Sequence, residues 1–157
     1  MVEAWQMIPA TLPPTYSTEV MQCVRHASVE YHVPKIVLLG IIKTESSGKA
    51  DAINHNTDGT YDLGIMQINT RWAQKLSHDY GIANVQKHLM RACYNIRVGA
   101  WIVSRELQAN GGWRPNHQDD FWVRVGNYHS KTRWHNHAYQ VKLARNIQWI
   151  AANTAWW

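Results

Sequence analysis

The chain has 157 residues, 45% of them hydrophobic and 17% charged, enough for one globular domain that buries roughly two-thirds of its extended-chain surface without metals or many disulfides. No window approaches 18 apolar residues: the best run, 36–42, is broken by Gly40 and closed by Lys43, which excludes a membrane-spanning helix. The net charge of +5, from 16 Lys and Arg against 11 Asp and Glu, is spread along the chain; it suits anionic partners and equally aids solubility, and no nucleic-acid-binding motif accompanies it.

Residues 1–15, with Pro9, Pro13 and Pro14, read as an extended lead-in to a domain covering 16–157. They lack the basic start and apolar stretch of a signal peptide, so either the protein stays inside the cell or the sequence is a trimmed mature form. Ser17 can cap a helix running to residue 31, with Val20, Val24 and Ala27 on one face. Pro34 opens a second, strongly apolar helix that stops near Gly48. The period then changes. Asp58-Gly59, set between Ile53 and Tyr61, predicts a small β-hairpin insertion near residues 50–68. Further helices are expected over 70–80, stopped by Gly81, over 83–90, and over 94–110, closed by Gly111-Gly112. Asp119 and Asp120 supply a cap and an acidic first turn for 121–128, and a last helix covers 136–150. The fold class is therefore mainly α, a single helical domain with one small β insertion. Cys23 and Cys93 lie 70 positions apart without Cys-x-x-Cys spacing, which leaves either one disulfide or two buried thiols.

Glu45 contradicts its surroundings. It follows Ile42, Ile41 and Leu38 by three, four and seven positions, which places a carboxyl on the most apolar stripe of the chain. Burial and the negative end of the helix dipole both disfavour its charged form. A raised pKa is what a proton-donating carboxylic acid needs near neutral pH. The competing reading is a helix-end Glu turned to solvent or paired with Lys49.

Three segments surround this acid in order: Thr44-Glu45-Ser46-Ser47-Gly48, Gly64-Ile65-Met66-Gln67-Ile68-Asn69 and Gly126-Asn127-Tyr128. Together they resemble the Glu-Ser, Gly-(Leu/Ile)-Met-Gln and Ala-Tyr-Asn motifs of the SLT-type (family 1) lytic transglycosylases, lysozyme-like enzymes that cleave peptidoglycan. The resemblance extends over about 17–150, and the subgroup it is most similar to serves secretion, conjugation and pilus systems. It implies a lysozyme-like α+β fold, Glu45 as sole catalytic acid and base, and Ser46 as its ordering neighbour. Met66 and Gln67 would line the sugar groove, with Asn69 beside them, and the Tyr128 hydroxyl would reach the catalytic carboxyl. The third motif departs from the pattern: His129 stands where the family has Asn. The stretch from Cys93 to Trp101 is also similar to this subgroup, where that cysteine usually pairs with one in the first helix, the place of Cys23. The implied setting is the periplasm or cell envelope. The implied partners are peptidoglycan strands and components of a secretion, conjugation or pilus machine, with no cofactor, metal or nucleic acid.

Most glycosidases need two carboxylates about 5 to 9.5 Å apart. The family dispenses with the second by letting the substrate's acetamido group and C6 hydroxyl act. Asp51, Asp58 or Asp62 could nevertheless direct a water and make this a hydrolytic muramidase, although loop aspartates more commonly bond their own backbone. An inactive peptidoglycan-binding scaffold is a third reading, which Glu45 opposes. His129, His135 and His137 fit no strong metal spacing. Trp72, Trp113 and Trp134 are candidates for stacking on sugars, Trp101 and Trp149 follow core spacing, and Trp5, Trp156 and Trp157 flank the domain.

Overall fold

The structure is a computed structural model that describes residues 17–114 and 116–153; the lead-in and the terminal tryptophans, Trp5, Trp156 and Trp157, lie outside the described residues. Helix α1, Thr18–Tyr31, starts where the Ser17 hydroxyl accepts the Val20 N–H at 3.4 Å, and buries Val20, Val24 and Ala27. Helix α2, Lys35–Ser46, buries every residue from Val37 to Ile42. A helix apolar on all sides belongs in the centre of its domain, and α2 lies there.

The expected hairpin is extended by a third strand. Strands β1 (Ile53–His55), β2 (Tyr61–Leu63) and β3 (Ile68–Asn69) form an antiparallel sheet in the order β1-β2-β3, with Asn54 opposite Asp62 and Asp62 opposite Asn69. Asp58 makes the turn: its Oδ1 accepts from the Thr60 N–H and hydroxyl at 3.0 and 2.7 Å, and its Oδ2 accepts from Arg71 at 2.8 Å.

Helices α3 (Thr70–Tyr80), α4 (Val85–Leu89), α5 (Ala92–Gln108), α6 (Gln118–Gly126) and α7 (Arg133–Asn153) follow. Gly81 ends α3 in the left-handed conformation, as expected. Several boundaries move. Helix α5 begins before Cys93 and closes through a 3₁₀ turn, Ala109–Gly111. Helix α6 begins at Gln118, so Asp119 and Asp120 lie in its first turn and His117 holds the cap position. Helix α7 begins three residues early, at Arg133, which puts Asn136 in its first turn and on its buried face.

The core is built from two helix pairs. Helix α1 packs on α5 and is tied to it by the Cys23–Cys93 disulfide, with 5.2 Å between the Cα atoms. Helix α2 packs on α7, and Gly40 permits the approach, since a methyl there would lie 2.7 Å from Ile147 Cγ1. The Asn146 amide of α7 also donates to the Thr44 hydroxyl at 2.9 Å. Among the described residues no helix is long and apolar enough to cross a membrane.

Candidate active site

Glu45 occupies the last turn of α2, one residue before Ser46 closes the helix and two before the left-handed Ser47. The turn 64–67, between β2 and β3, is set against this helix end. It needs two residues at positive φ, Gly64 at 75° and Gln67 at 51°. Any side chain at Gly64 would run into the Asn95 amide and the Leu89 carbonyl, so this glycine is required by contact as well as by conformation. Asn95, wholly buried on α5, accepts from the Met66 N–H at 2.8 Å and donates to the Leu63 and Leu89 carbonyls, each at 2.8 Å. The Ser46 hydroxyl donates to the Ile65 carbonyl at 2.7 Å and accepts from the Gly48 N–H at 3.1 Å. The turn is therefore bonded to α2 and to α5.

Tyr128 is the third anchor. Its hydroxyl, expected at the carboxyl of Glu45, donates instead to the Met66 carbonyl at 2.7 Å. A phenol has one proton to give, and that of Tyr128 is spent on Met66. The phenol that bears on Glu45 is Tyr139 on α7, which the motif reading passed over. Tyr139 is 4% exposed, and among the described residues its hydroxyl is the buried side-chain polar atom that closes no hydrogen bond of ordinary length. Its phenol dipole favours the charged form of the Glu45 carboxyl. Its signal was its place four residues before Leu143 on the apolar stripe of α7, because a buried phenol requires a polar partner.

The Glu45 carboxyl is pushed up to about 7. Burial is the main cause, the nearby charge of Asp62 adds to it, and Tyr139 and the Lys142 ammonium act against it. The acid faces an open cleft of about 840 Å³ whose far wall is the sheet and the start of α3, including Asn54, Asp62, Gln67, Asn69 and Trp72. Asp62 is held there, its two oxygens accepting from Asn69 at 2.9 Å and Asn56 at 3.1 Å. Asp58 also lines this wall but is engaged by Thr60 and Arg71, and Asp51 is not part of it.

Of the two expected groove residues, one lies elsewhere. Met66 is fully buried against Gly99, where a methyl would strike its sulfur, and is not part of the cleft wall. Gln67 does line the cleft, but its amide N–H groups donate to the Ala52 and Gly64 carbonyls at 3.1 and 2.9 Å and its oxygen accepts from Asn54 at 2.5 Å. A committed amide fixes the wall more than it reads a ligand. Asn69 caps α3 through the Arg71 N–H at 3.0 Å while its amide steadies Asp62.

His129 lines the cleft beside Glu45 and lies flat on the Tyr139 ring, with centroids 4.7 Å apart and planes within 5°. Burial first, then the charges of Lys142 and His135, lower its pKa, so the ring is neutral at neutral pH. Its backbone turn is organised by buried Asn136, whose amide donates to the Val123 carbonyl and the Asn127 oxygen at 2.9 Å. Of the tryptophans proposed for sugar contact, Trp72 lines the cleft, whereas Trp113 packs edge-on against Phe121 and Trp134 is 76% exposed on α7, neither of them on the cleft wall. Trp149, expected in the core, is partly exposed with the Lys43 ammonium 3.9 Å above its ring.

Substituting Tyr139 by Phe tests this arrangement. Loss of a phenol whose dipole favours the charged carboxylate raises the Glu45 pKa further, so the alkaline limb of the pH–rate profile moves to higher pH. Misorientation of the acid lowers turnover by roughly ten- to a hundredfold. The unfolding temperature stays unchanged or rises, because a hydroxyl without a closed bond is removed. A profile superimposable on that of the parent would rule Tyr139 out as the partner of Glu45.

A helical domain with a three-stranded sheet forming one wall of a cleft, and a protonatable glutamate at the end of its central helix, is a lysozyme-like α+β protein. Residues 22–151 match the family described as Transglycosylase SLT domain, and the chain belongs to that family. It is 34% identical over 110 residues to invasion protein IagB of Salmonella typhimurium, a match covering 70% of this chain and 62% of that protein's length. Protein IpgF of Shigella flexneri is 26% identical over 125 residues, 80% of this chain and 76% of IpgF. A shorter stretch of 30 residues, 19% of this chain and 21% of its counterpart, is 63% identical to lysozyme C of Takifugu rubripes.

Proposed function

We propose that this protein is a peptidoglycan lytic transglycosylase that cleaves the β-1,4 link between N-acetylmuramic acid and N-acetylglucosamine and leaves a 1,6-anhydro muramyl end. The observation that carries this reading is Glu45, a carboxyl pushed up to about 7 beside an open cleft. A glycosidic oxygen is a weak base, and its departure requires an acid that still holds its proton near neutral pH. Glu45 gives that proton to the bridging oxygen as the C1–O bond breaks, and the substrate's 2-acetamido oxygen supports the positive anomeric carbon. The Glu45 carboxylate then takes the proton of the muramyl C6 hydroxyl as that oxygen bonds to C1. One proton leaves Glu45 and one returns, and no water is consumed. Ser46, Tyr128 and Asn95 hold the wall opposite the acid, Tyr139 orients the acid, and His129 offers a neutral imidazole to the substrate.

Asp62 supports a second reading, hydrolysis by a muramidase. It is a carboxylate on the facing wall, close enough for its charge to raise the Glu45 pKa. Its two oxygens are already held by asparagine amides, which favours electrostatic support of the cationic centre over activation of water. Mass spectrometry of wall digests separates the two. Lysis by transglycosylation yields muropeptides one water lighter than hydrolytic products and no new reducing ends, the intramolecular attack being favoured by high effective molarity. Reducing-end muropeptides as the main product would establish hydrolysis, and Asp62→Asn would then abolish it.

The site of action is the periplasm or cell envelope, where the wall lies and where a disulfide such as Cys23–Cys93 is maintained. The task is local opening of the wall for an envelope-spanning secretion, conjugation or pilus assembly, supported by the motif resemblance and by the similarity to a protein named for invasion.

A further inference from the structure

We propose that a groove between α3, α5 and the end of α1 is a second glycan-binding site, which takes the strand held in the catalytic cleft at a point beyond Trp72. The proposal rests on the peptidoglycan reading above. The groove has a volume of about 330 Å³ and is walled by Tyr31, Tyr80, Tyr94 and Trp101, with Arg97 at its lip. Tyr80 is 57% exposed, an open aromatic face rather than a core residue.

Three observations select a polysaccharide as the occupant. The first is continuity. Trp72 lines the catalytic cleft, its ring meets Trp101 edge-on at 5.6 Å, and Trp101 meets Tyr80 at 6.1 Å. Trp72 of the cleft and Trp101 of the groove are thus neighbouring rings on α3 and α5, which places the two openings on either side of one aromatic contact. The second is chemistry. Tyr and Trp present an apolar ring face together with a polar handle, the combination that fits a sugar ring with its C–H face and peripheral hydroxyls. Arg97 is held rigidly, its Nε and Nη2 donating to the Glu30 carboxylate, with the Nε bonds at 2.9 and 3.1 Å. The N–H groups that Glu30 leaves open, two on Nη1 and one on Nη2, are suited to hydroxyl and acetamido oxygens. The third is size. A stable protein partner covers about 800 Å² of each surface, whereas this is a short, concave slot that accommodates one or two sugar rings.

The test uses the Glu45→Gln protein, in which cleavage is suppressed, and peptide-free N-acetylglucosamine oligomers of increasing length, with affinity measured by calorimetry and Trp fluorescence. Long oligomers bind about three- to tenfold more tightly than those that fill the cleft alone, in the range of one aromatic contact. Tyr80→Ala and, independently, Arg97→Gln remove that gain and leave short-oligomer affinity and the unfolding temperature unchanged. Equal affinities for parent and groove variants at every length would overturn the proposal. So would groove variants that alter self-association in sedimentation without altering glycan binding, since the slot would then be a contact between copies. Failure of the Glu45→Gln protein to bind any oligomer would instead count against the peptidoglycan reading itself.

Discussion

Replacing Glu45 by Gln should reduce turnover of purified cell walls by about 10²- to 10⁴-fold, the range for loss of a general acid–base group. Gln keeps the size and polarity of the side chain and removes only the transferable proton, so the cleft retains its shape and its affinity for glycan. Stability should change in the opposite sense. The folded carboxyl is pushed up to about 7, against about 4.3 when unfolded, so between these values the folded chain binds the extra proton. Stability conferred by the protonated form is complete below the unfolded pKa, declines as pH rises through 7, and is lost above it. Above pH 7 the Gln variant should therefore unfold at a higher temperature than the parent, by up to about 4 kcal/mol of stability, and the two should converge toward pH 4. Melting curves at several pH values, paired with wall-clearing rates, read both effects. Near-parental clearing by the variant would remove Glu45 from the mechanism, whatever the melting curves show.

The same acid predicts how the parent protein responds to pH. The proposed first step requires the protonated form, so the rate should fall as pH rises through about 7. Lys142 and His129 bear on the same region, and protonation of His129 at lower pH adds a cation on the Tyr139 ring.

Glu45 was legible in the sequence because helical spacing is regular: an acid at i+3, i+4 and i+7 from large aliphatics has to lie on their face. The helices were legible for the same reason, and their ends followed where Ser17 and Gly81 supply caps. The third strand was not, since two residues, Ile68 and Asn69, are too few for an alternating pattern. The least visible elements were the buried amides. Asn95 and Asn136 organise the two turns that face Glu45, yet an asparagine within a helix carries no local mark that separates a core organiser from a solvent-facing residue. The partner of Tyr128 was misread for a related reason. A motif fixes which residue stands beside a site, while the direction of its hydrogen bond depends on carbonyls that distant segments bring within reach, such as those of Met66 and Ala52.

Breaking the Cys23–Cys93 bridge should have the largest effect on stability. The bond closes a loop between residues 70 apart, and restricting so long a segment of the unfolded chain is worth about 4 kcal/mol in the chain-entropy model. In a domain of this size that corresponds to roughly 10 °C in the unfolding midpoint. The folded protein should tolerate the loss at low temperature. Helix α1 still buries Val20, Val24 and Ala27, and the cleft is built from α2, the sheet and its following helix, α5 and the segment after α6. A double Cys23→Ala, Cys93→Ala variant, and the parent treated with a thiol reductant, should therefore melt early yet clear walls at nearly the parental rate at 20 °C. Coincident early melting in the two preparations would assign the effect to the covalent link and not to the alanines. An unchanged midpoint after verified reduction would mean that the packing of α1 on α5 carries this part of the fold alone, and the argument for an oxidising compartment would then lose its stability basis.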